Sequence, residues 1–264
     1  MKFYQRVWID ERNIPPELYR SIVQLKPECQ HNDHFVLECQ PGDVASAALA
    51  ECIVTFCKEN RLHRGTGEVG TYMYEVLRHY EPDDLEVAQF LILQSQKRMF
   101  RDGLERDEQG RLMLPAKNAT ATVKIASCMF ESLYVVSDTT RKVLEGGQLG
   151  GLVFRETVLK GTSANATTEP FWEIDSSLQM PKMVNARLNP HSKKPCYFLV
   201  EPPYRNAEPH YCQQDMLPLG NFAIARTLEQ LGPSHGLIIS QHFYQHCLKN
   251  KIELLARPVR IDQD

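Results

Sequence analysis

The strongest constraint on this chain is that part of its pattern occurs twice. Leu133-Tyr-Val-Val-Ser137 and Gly236-Leu-Ile-Ile-Ser240 are both aliphatic, β-branched-rich runs that end in serine. At a constant offset of 103 residues (240 minus 137), Ser137 matches Ser240, Leu149 matches Ile252 and Leu152 matches Leu255. Behind each serine come helix-compatible residues and then a second apolar run, Leu152-Val-Phe in one copy and Leu254-Leu-Ala in the other. The physical reading is strand, helix, strand. The serine hydroxyl can accept from the free N–H groups of the first helical turn, and the helix can cover one face of the sheet that its flanking strands join. Gly146-Gly147 and Asn250 stand where left-handed, helix-ending residues are expected. Identity between the copies is low, so the expectation is shared architecture.

The region before the repeats carries less pattern. Phe3, Val7 and Ile9 outline a first strand that Ile14-Pro15-Pro16 should stop, and Phe35-Val36-Leu37 reads as a second. Asp43 is placed to cap a helix whose apolar stripe is Val44, Ala47, Ala48, Cys52, Ile53, Phe56 and Cys57. Tyr72 to Leu77 reads as strand. Glu81-Pro82-Asp83-Asp84 looks like the opening of a long helix through Leu85, Ala88, Phe90, Leu91, Leu93 and Met99. Arg101–Leu114 reads as an exposed hairpin turning at Asp107-Glu108-Gln109-Gly110, and Val123–Ala126 as a strand. Residues 160–235 are dense in proline, which argues for loops around short strands at Phe171–Ile174 and Cys196–Val200. The expected fold class is α+β. It has small mixed sheets with amphipathic helices, an N-terminal region (1–127) with two helices on a sheet, and a C-terminal region (128–264) holding the two strand–helix–strand units (132–158 and 236–261).

Composition enters mainly by exclusion. Thirty basic against 33 acidic residues leave a net charge of −3, without the broad basic footprint of a nucleic-acid binder. No run reaches the roughly 18 apolar residues of a membrane span, and the charged start MKFYQRVWIDERN does not read as a secretory signal. Eight cysteines at irregular spacing, none in a CxxC pair, fit reduced thiols better than a disulfide framework. These features lead us to expect a cytoplasmic protein.

The densest group of potential ligands is Cys29, His31, His34 and Cys39, two thiolates and two imidazoles that together can surround a zinc ion. The competing reading packs Cys39 in the core and leaves both histidines on a polar loop. Cys52 and Cys57 read as packing residues. Ser137 and Ser240 lack the flanking glycines of a nucleophile elbow and are explained by capping. Gly65-Thr-Gly-Glu-Val-Gly70 precedes a strand, whereas a dinucleotide fingerprint must follow one. His242 and His246 are one helical turn apart with no glutamate between them, and read as polar outer residues of an aromatic-packed helix. Two segments, Glu201-Pro-Pro-Tyr-Arg205 and Glu208-Pro-His-Tyr211, read as loops; Tyr204, Arg205, His210 and Tyr211 are the candidate partner contacts, since Tyr and Arg combine contact area with polar handles.

Leu133-Tyr-Val-Val-Ser137 with Leu149-Gly-Gly-Leu-Val-Phe154, and Leu237-Ile-Ile-Ser240 with Ile252 and Arg257-Pro258-Val259, resemble the recurring core of bacterial immunity-protein families tied to polymorphic toxins. The double-CxxCG immunity proteins are among them. This chain has no CxxCG pair, so that group's metal site is not carried over. The resemblance implies a non-catalytic protein that neutralises a cognate toxin by binding and occluding it, and it implies no catalytic residue. Two other classes stand beside it. One is a metal-dependent enzyme centred on Cys29, His31 and His34; the other is an assembly protein that self-associates through an exposed sheet edge.

Overall fold

The computed structural model describes residues 1–64, 69–100, 105–128, 133–161, 169–190, 192, 195–201, 207–231 and 234–263. It is an α+β protein of small mixed sheets and short helices. Contact density divides it into two compact units: Met1–Glu81 with Glu201–Ala207, and Pro82–Val200 with Glu208–Asp264. Residues 82–127, grouped with the N-terminal region on the sequence, therefore pack in the second unit.

The first unit runs β1 (Lys2–Asp10), α1 (Pro16–Leu25), β2 (Gln30–His31), β3 (His34–Cys39), α2 (Val44–Glu59), β4 (His63–Arg64) and β5 (Thr71–His79). Its sheet has the order β2-β3-β1-β5-β4. Val7 lies opposite Leu37 and Ile9 opposite Phe35, so period-two alternation puts all four on one buried face. Two helices contribute to the same core through Tyr19, Ile22, Ala50, Ile53 and Cys57. The two helices differ from the expected pair. β1 ends at Asp10 in a tight turn over Glu11–Asn13, ahead of the prolines expected to stop it, and Pro16 instead begins α1, where a missing N–H costs nothing. In α2, Asp43 caps as expected by accepting from Ser46 N at 3.0 Å. The buried stripe is rotated, however, to Ser46, Ala50, Ile53, Val54 and Cys57, with Val44 and Cys52 exposed. Arg78 grips Glu201 with both terminal nitrogens in a pair that is largely withdrawn from water.

The second unit continues with α3 (Pro82–Val87), β6 (Phe90–Leu93), β7 (Met99–Phe100), β8 (Leu112–Pro115), β9 (Ile125–Cys128), β10 (Leu133–Ser137), α4 (Asp138–Gly146) and β11 (Leu152–Lys160). It then runs β12 (Phe171–Ser176), β13 (Ala186–Leu188), β14 (Tyr197–Leu199), β15 (His210–Cys212), α5 (Gln213–Met216), β16 (Ile224–Gln230), β17 (His235–Ser240), α6 (Gln241–Lys249), β18 (Ala256–Pro258) and β19 (Arg260–Asp262). The long helix expected from Pro82 stops after six residues. Phe90-Leu-Ile-Leu93 is instead a core strand, its last three residues almost fully buried; a short apolar run supports either structure until its neighbours are known. The expected hairpin turns at Asp107 and Gly110, with Arg106 bridging Leu112, while Arg101–Leu104 lie outside the described residues.

The two strand–helix–strand units are built alike to a depth the sequence did not reveal. One sheet has the order β7-β9-β10-β12-β11-β8; the other has β16-β17-β6-β18, after which β19 pairs with β15. In both, the central repeat strand lies antiparallel to two neighbours, and the strand after the helix sits beyond an inserted antiparallel strand. That outer strand then pairs in parallel with β8 in one sheet and, as β19, with β15 in the other. Even the parallel edge recurs: Met99 pairs with Ser127, and Gln179 forms a parallel bridge to Arg226.

The inserted strands are exchanged. β12 follows the first unit's helix yet completes the first sheet, whereas β6 precedes that unit and completes the second sheet. Phe171 lies opposite Ser137 as Phe90 lies opposite Ser240. The residue before each phenylalanine accepts the first helical N–H, Asp138 N to Pro170 O at 2.9 Å and Gln241 N to Gln89 O at 3.0 Å. The segments 90–160 and 171–262 are thus two halves, each lending its first strand to the other.

Both helices begin as expected, with Ser137 Oγ accepting from Thr140 N at 3.3 Å and Ser240 Oγ from Phe243 N at 3.2 Å. The helices stop at Gly146 and Lys249, and the left-handed residue falls one position after Gly147 and Asn250, at Gln148 (φ 51°) and Lys251 (φ 56°). The offset of 103 holds through Leu149 and Ile252, both buried, and then shortens by one: Phe154 and Ala256 occupy equivalent register positions. Both helices pack into one core with Tyr134, Val136, Leu237 and Ile239. At their crossing His246 Nε2 lies 3.0 Å from Val143 O, and its ring fills the space above Gly147. A methyl on Gly147 would lie 2.7 Å from that ring.

Leu91 sits on an exchanged strand and is fully buried. We expect Leu91→Ala to cost about 2–5 kcal/mol. Near- and far-ultraviolet circular dichroism of the second unit should still lose structure in one coincident urea transition, because neither half is complete without the other's strand. Two separated transitions within this unit would contradict the exchange.

Candidate functional site

Of the four nominated metal ligands, the structure brings no complete set together. His31 and His34 face each other across a tight turn at Asn32-Asp33, with Asn32 in the left-handed conformation its short polar side chain tolerates. Cys39 is at the far end of β3, five residues and about 16 Å from His34 at the usual strand rise. One tetrahedral ion cannot span that distance. Cys39 is in the core and its thiol donates to Ser46 O at 3.1 Å. Burial raises the pKa of both Cys39 and Cys29.

His34 has other company. β1 runs antiparallel to β3 and places Asp10 opposite His34. Asp33, from the turn, lies with Oδ1 3.2 Å from His34 Nε2, and Asp10 Oδ2 is 3.8 Å from His34 Nδ1. Ligand atoms of Asp10, Asp33 and His34 lie within 4.8 Å of one another, a donor set that suits a divalent cation. Arg12 already occupies it. Its Nε donates to Asp10 Oδ1 at 2.9 Å and its Nη2 to Oδ2 at 2.7 Å, while Nε lies 3.4 Å from Asp33 Oδ2. These bonds, the side-chain one first, hold the Asp10 carboxyl at about 2, below its ordinary 3.8, against a burial effect that acts in the opposite direction. The cluster as it stands is an ion-paired clasp between the end of β1 and the hairpin, and a metal would have to displace a guanidinium. Asp10 and Arg12 escaped the sequence reading because only strand register brings them to His34.

The nominated partner contacts fare differently. His210 and Tyr211 belong to β15, not to a loop, and are 8% and 0% exposed. Pairing with β19 buries them, so neither presents a contact surface. Tyr204 and Arg205 lie outside the described residues. On α6, His242 is exposed as expected, but His246 turns inward to α4. Gly65–Glu68 of the glycine run lie outside the described residues, and Gly70 has the positive φ of a turn. Among the described residues no disulfide joins the cysteines; Cys52 is exposed, while burial pushes Cys57 up to about 11 and Cys128 and Cys247 up to about 12.

Two concave surfaces in the second unit were not foreseen. One is a basic cleft of about 230 Å³ whose lining includes Lys97, Arg98, Lys124 and Lys251 with Glu253 as its acid. Part of that charge is spent locally, with Lys97 paired to Glu253 and Lys124 donating to Lys251 O at the end of α6. The other is a wider cleft of two lobes, about 340 and 480 Å³, that share Gln89, Phe90, Gly220, Asn221 and Phe222. Its wall is a parallel stack of Phe90 on Phe222, with ring centroids 5.0 Å apart. Residues scattered over α5, α6, three loops and the C-terminal end of the described chain meet there, which is why no local pattern announced it.

Comparison with protein-family models, curated proteins and solved structures finds no match to this chain. Among the described residues no helix is long and apolar enough to cross a membrane.

Two outcomes follow from this geometry. Because the folded-state pKa of Asp10 is depressed, its contribution to stability is present above about pH 4 and is lost as pH falls towards 2. The melting-temperature gap between the native chain and Asp10→Asn should therefore close over that window, and a gap that is constant from pH 5 to 2 would contradict it. Iodoacetamide at about pH 8 should label Cys52 in the folded protein and spare Cys57, Cys128 and Cys247 until denaturation. Mass spectrometry of the alkylated peptides reads this directly.

Proposed function

We propose that this chain is a non-catalytic binding protein of the cytoplasm, one that acts by covering a functional surface of a protein partner, as toxin-neutralising immunity proteins do. The observation that carries the reading is where the chain spends its shielded ionisable groups. Asp10 is held by Arg12, Glu173 by a two-pronged bond from Arg106 at 2.8 and 2.9 Å, and Arg78 by Glu201. The deepest thiols are kept neutral by burial. Groups tied up in this way hold a framework rigid, whereas a general base or nucleophile needs a free, tuned group facing a substrate. A preorganised surface in turn lowers the ordering cost of binding. Eight cysteines at irregular spacing, none in a CxxC pair, suit a reducing compartment.

A second reading, a divalent-metal protein, is favoured by the Asp10, Asp33 and His34 donor set alone. Calorimetric titration with manganese or zinc separates it: heat that is lost in His34→Ala supports that reading, and its absence removes it.

The binding reading is tested by purifying the protein with its partner from the native host, reconstituting the pair and titrating the partner's own activity. A fall to an end point at one-to-one stoichiometry is expected. A partner whose activity is unchanged at saturation would remove the occlusion mechanism.

A further inference from the structure

The two-lobed cleft has a chemistry unlike the rest of the surface. Charged residues make up 24% of the chain, yet neither lobe has an Asp, Glu, Lys or Arg in its lining. In their place stand six primary amides, Gln89, Gln148, Gln213, Asn221, Gln241 and Gln263, around the Phe90–Phe222 stack. We propose that this cleft docks an uncharged, extended stretch of a protein partner's main chain; the proposal rests on the binding reading above and names the surface used.

Complementarity is the first argument. A primary amide carries two N–H donors and a carbonyl acceptor, so it can answer both the donor and the acceptor of a peptide group. An ionic ligand would lose hydration in the cleft and meet no countercharge. The stacked rings give an apolar side chain of the docked segment a surface between its main-chain contacts.

Gln241 supplies the second argument. Its Nε2 donates to Glu86 O at 2.7 Å, which fixes the side chain, and its Oε1 is buried with no hydrogen-bond partner. A shielded acceptor left unpaired is costly, and that cost is relieved when the side chain shifts to meet an N–H of a docked peptide.

Internal duplication provides the third. At the equivalent place in the other half, Asp138 stands where Gln241 does, and its carboxylate is bound by Arg141 and by Trp172 Nε1 at 2.9 Å. Beside it, the Glu169 carboxylate accepts from Thr139 N. The first half therefore closes this corner with its own charges, and the second lines it with amides and leaves it open. A nucleic acid would find no cation here to neutralise its phosphates. A saccharide would find no carboxylate or guanidinium fork for its paired hydroxyls.

The test uses the full chain, nitrogen-15 labelled, titrated with acetyl-Ser-Gly-Leu-Gly-Ser-amide to about 10 mM, a range suited to weak binding. Side-chain NH₂ signals of Gln241 and Asn221 should shift saturably. Analogues with Asp or Lys in place of both serines should bind more weakly. Gln241→Met, which removes the acceptor, and the exposed-site variant Asn221→Ala should each lose about 2- to 10-fold in affinity, the worth of one hydrogen bond. Lys124→Glu, in the basic cleft, should change nothing. No saturable shift, unaltered affinity in both variants, or stronger shifts with maltose would overturn the proposal. A partner complex that forms normally with Gln241→Met and Asn221→Ala would remove this cleft and leave the binding reading standing. Failure of the unaltered chain to hold any partner would remove the binding reading itself.

Discussion

The reciprocal loan of β6 and β12 is what the second unit depends on. Each is the inner strand of a sheet to which the other half contributes both of its neighbours. Leu91 and Leu93 from one loaned strand and Ile174 from the other enter a single core with both repeat helices. An unfilled slot between β17 and β18 would expose two rows of backbone polar groups and the apolar face behind them, and both are costly. Stability in this unit is therefore shared between the halves. Its pairings also join residues far apart in sequence: Phe90 meets Ser240 and Pro258 meets Leu91. Such contacts slow folding because the chain must close long loops before those contacts form.

Exchange also explains how near-symmetric halves can serve different ends. The shared framework fixes the strand end, the serine cap and the helix start in both. What surrounds the helix start is set by a few side chains, since Asp138 and Glu169 carry carboxylates there in one half and amides line the cleft beside Gln241 in the other. A duplicated scaffold in this way retains one corner for self-closure and frees the other for a ligand at little cost to the core.

Legibility from sequence followed the range of the interaction. Capping by Ser137, Ser240 and Asp43 was readable because it is settled within three residues. The repeat was readable because aliphatic runs ending in serine are conspicuous. By contrast, Phe90–Leu93 read as helix because only β17 and β18, more than 140 residues away, make it a strand. His210 and Tyr211 read as loop because proline surrounds them, while the parallel pairing with β19 that buries them leaves no local mark. The four-ligand zinc arrangement failed on geometry: closeness in sequence becomes distance along an extended strand, and the neighbours His34 does acquire come through the register of β1.

A chain with two exchangeable strands must also specify which goes where, and one buried carboxylate with its arginine distinguishes them. Glu173 on β12 occupies the register position that Ile92 occupies on β6. Arg106, from the hairpin before β8, binds Glu173 with two nitrogens, and only the first sheet has that guanidinium beside it. Ile92 faces an apolar cluster with Met180, Met183, Ala225 and Ile238. Interchanging the strands would bring a carboxylate into that cluster and leave Arg106 facing isoleucine. The penalty for an unpaired buried carboxylate is several kcal/mol, enough to outweigh the similarity of the two backbones. The Arg106–Glu173 pair thus selects between two otherwise interchangeable arrangements, a use of buried charge that adds more to uniqueness of the fold than to its stability.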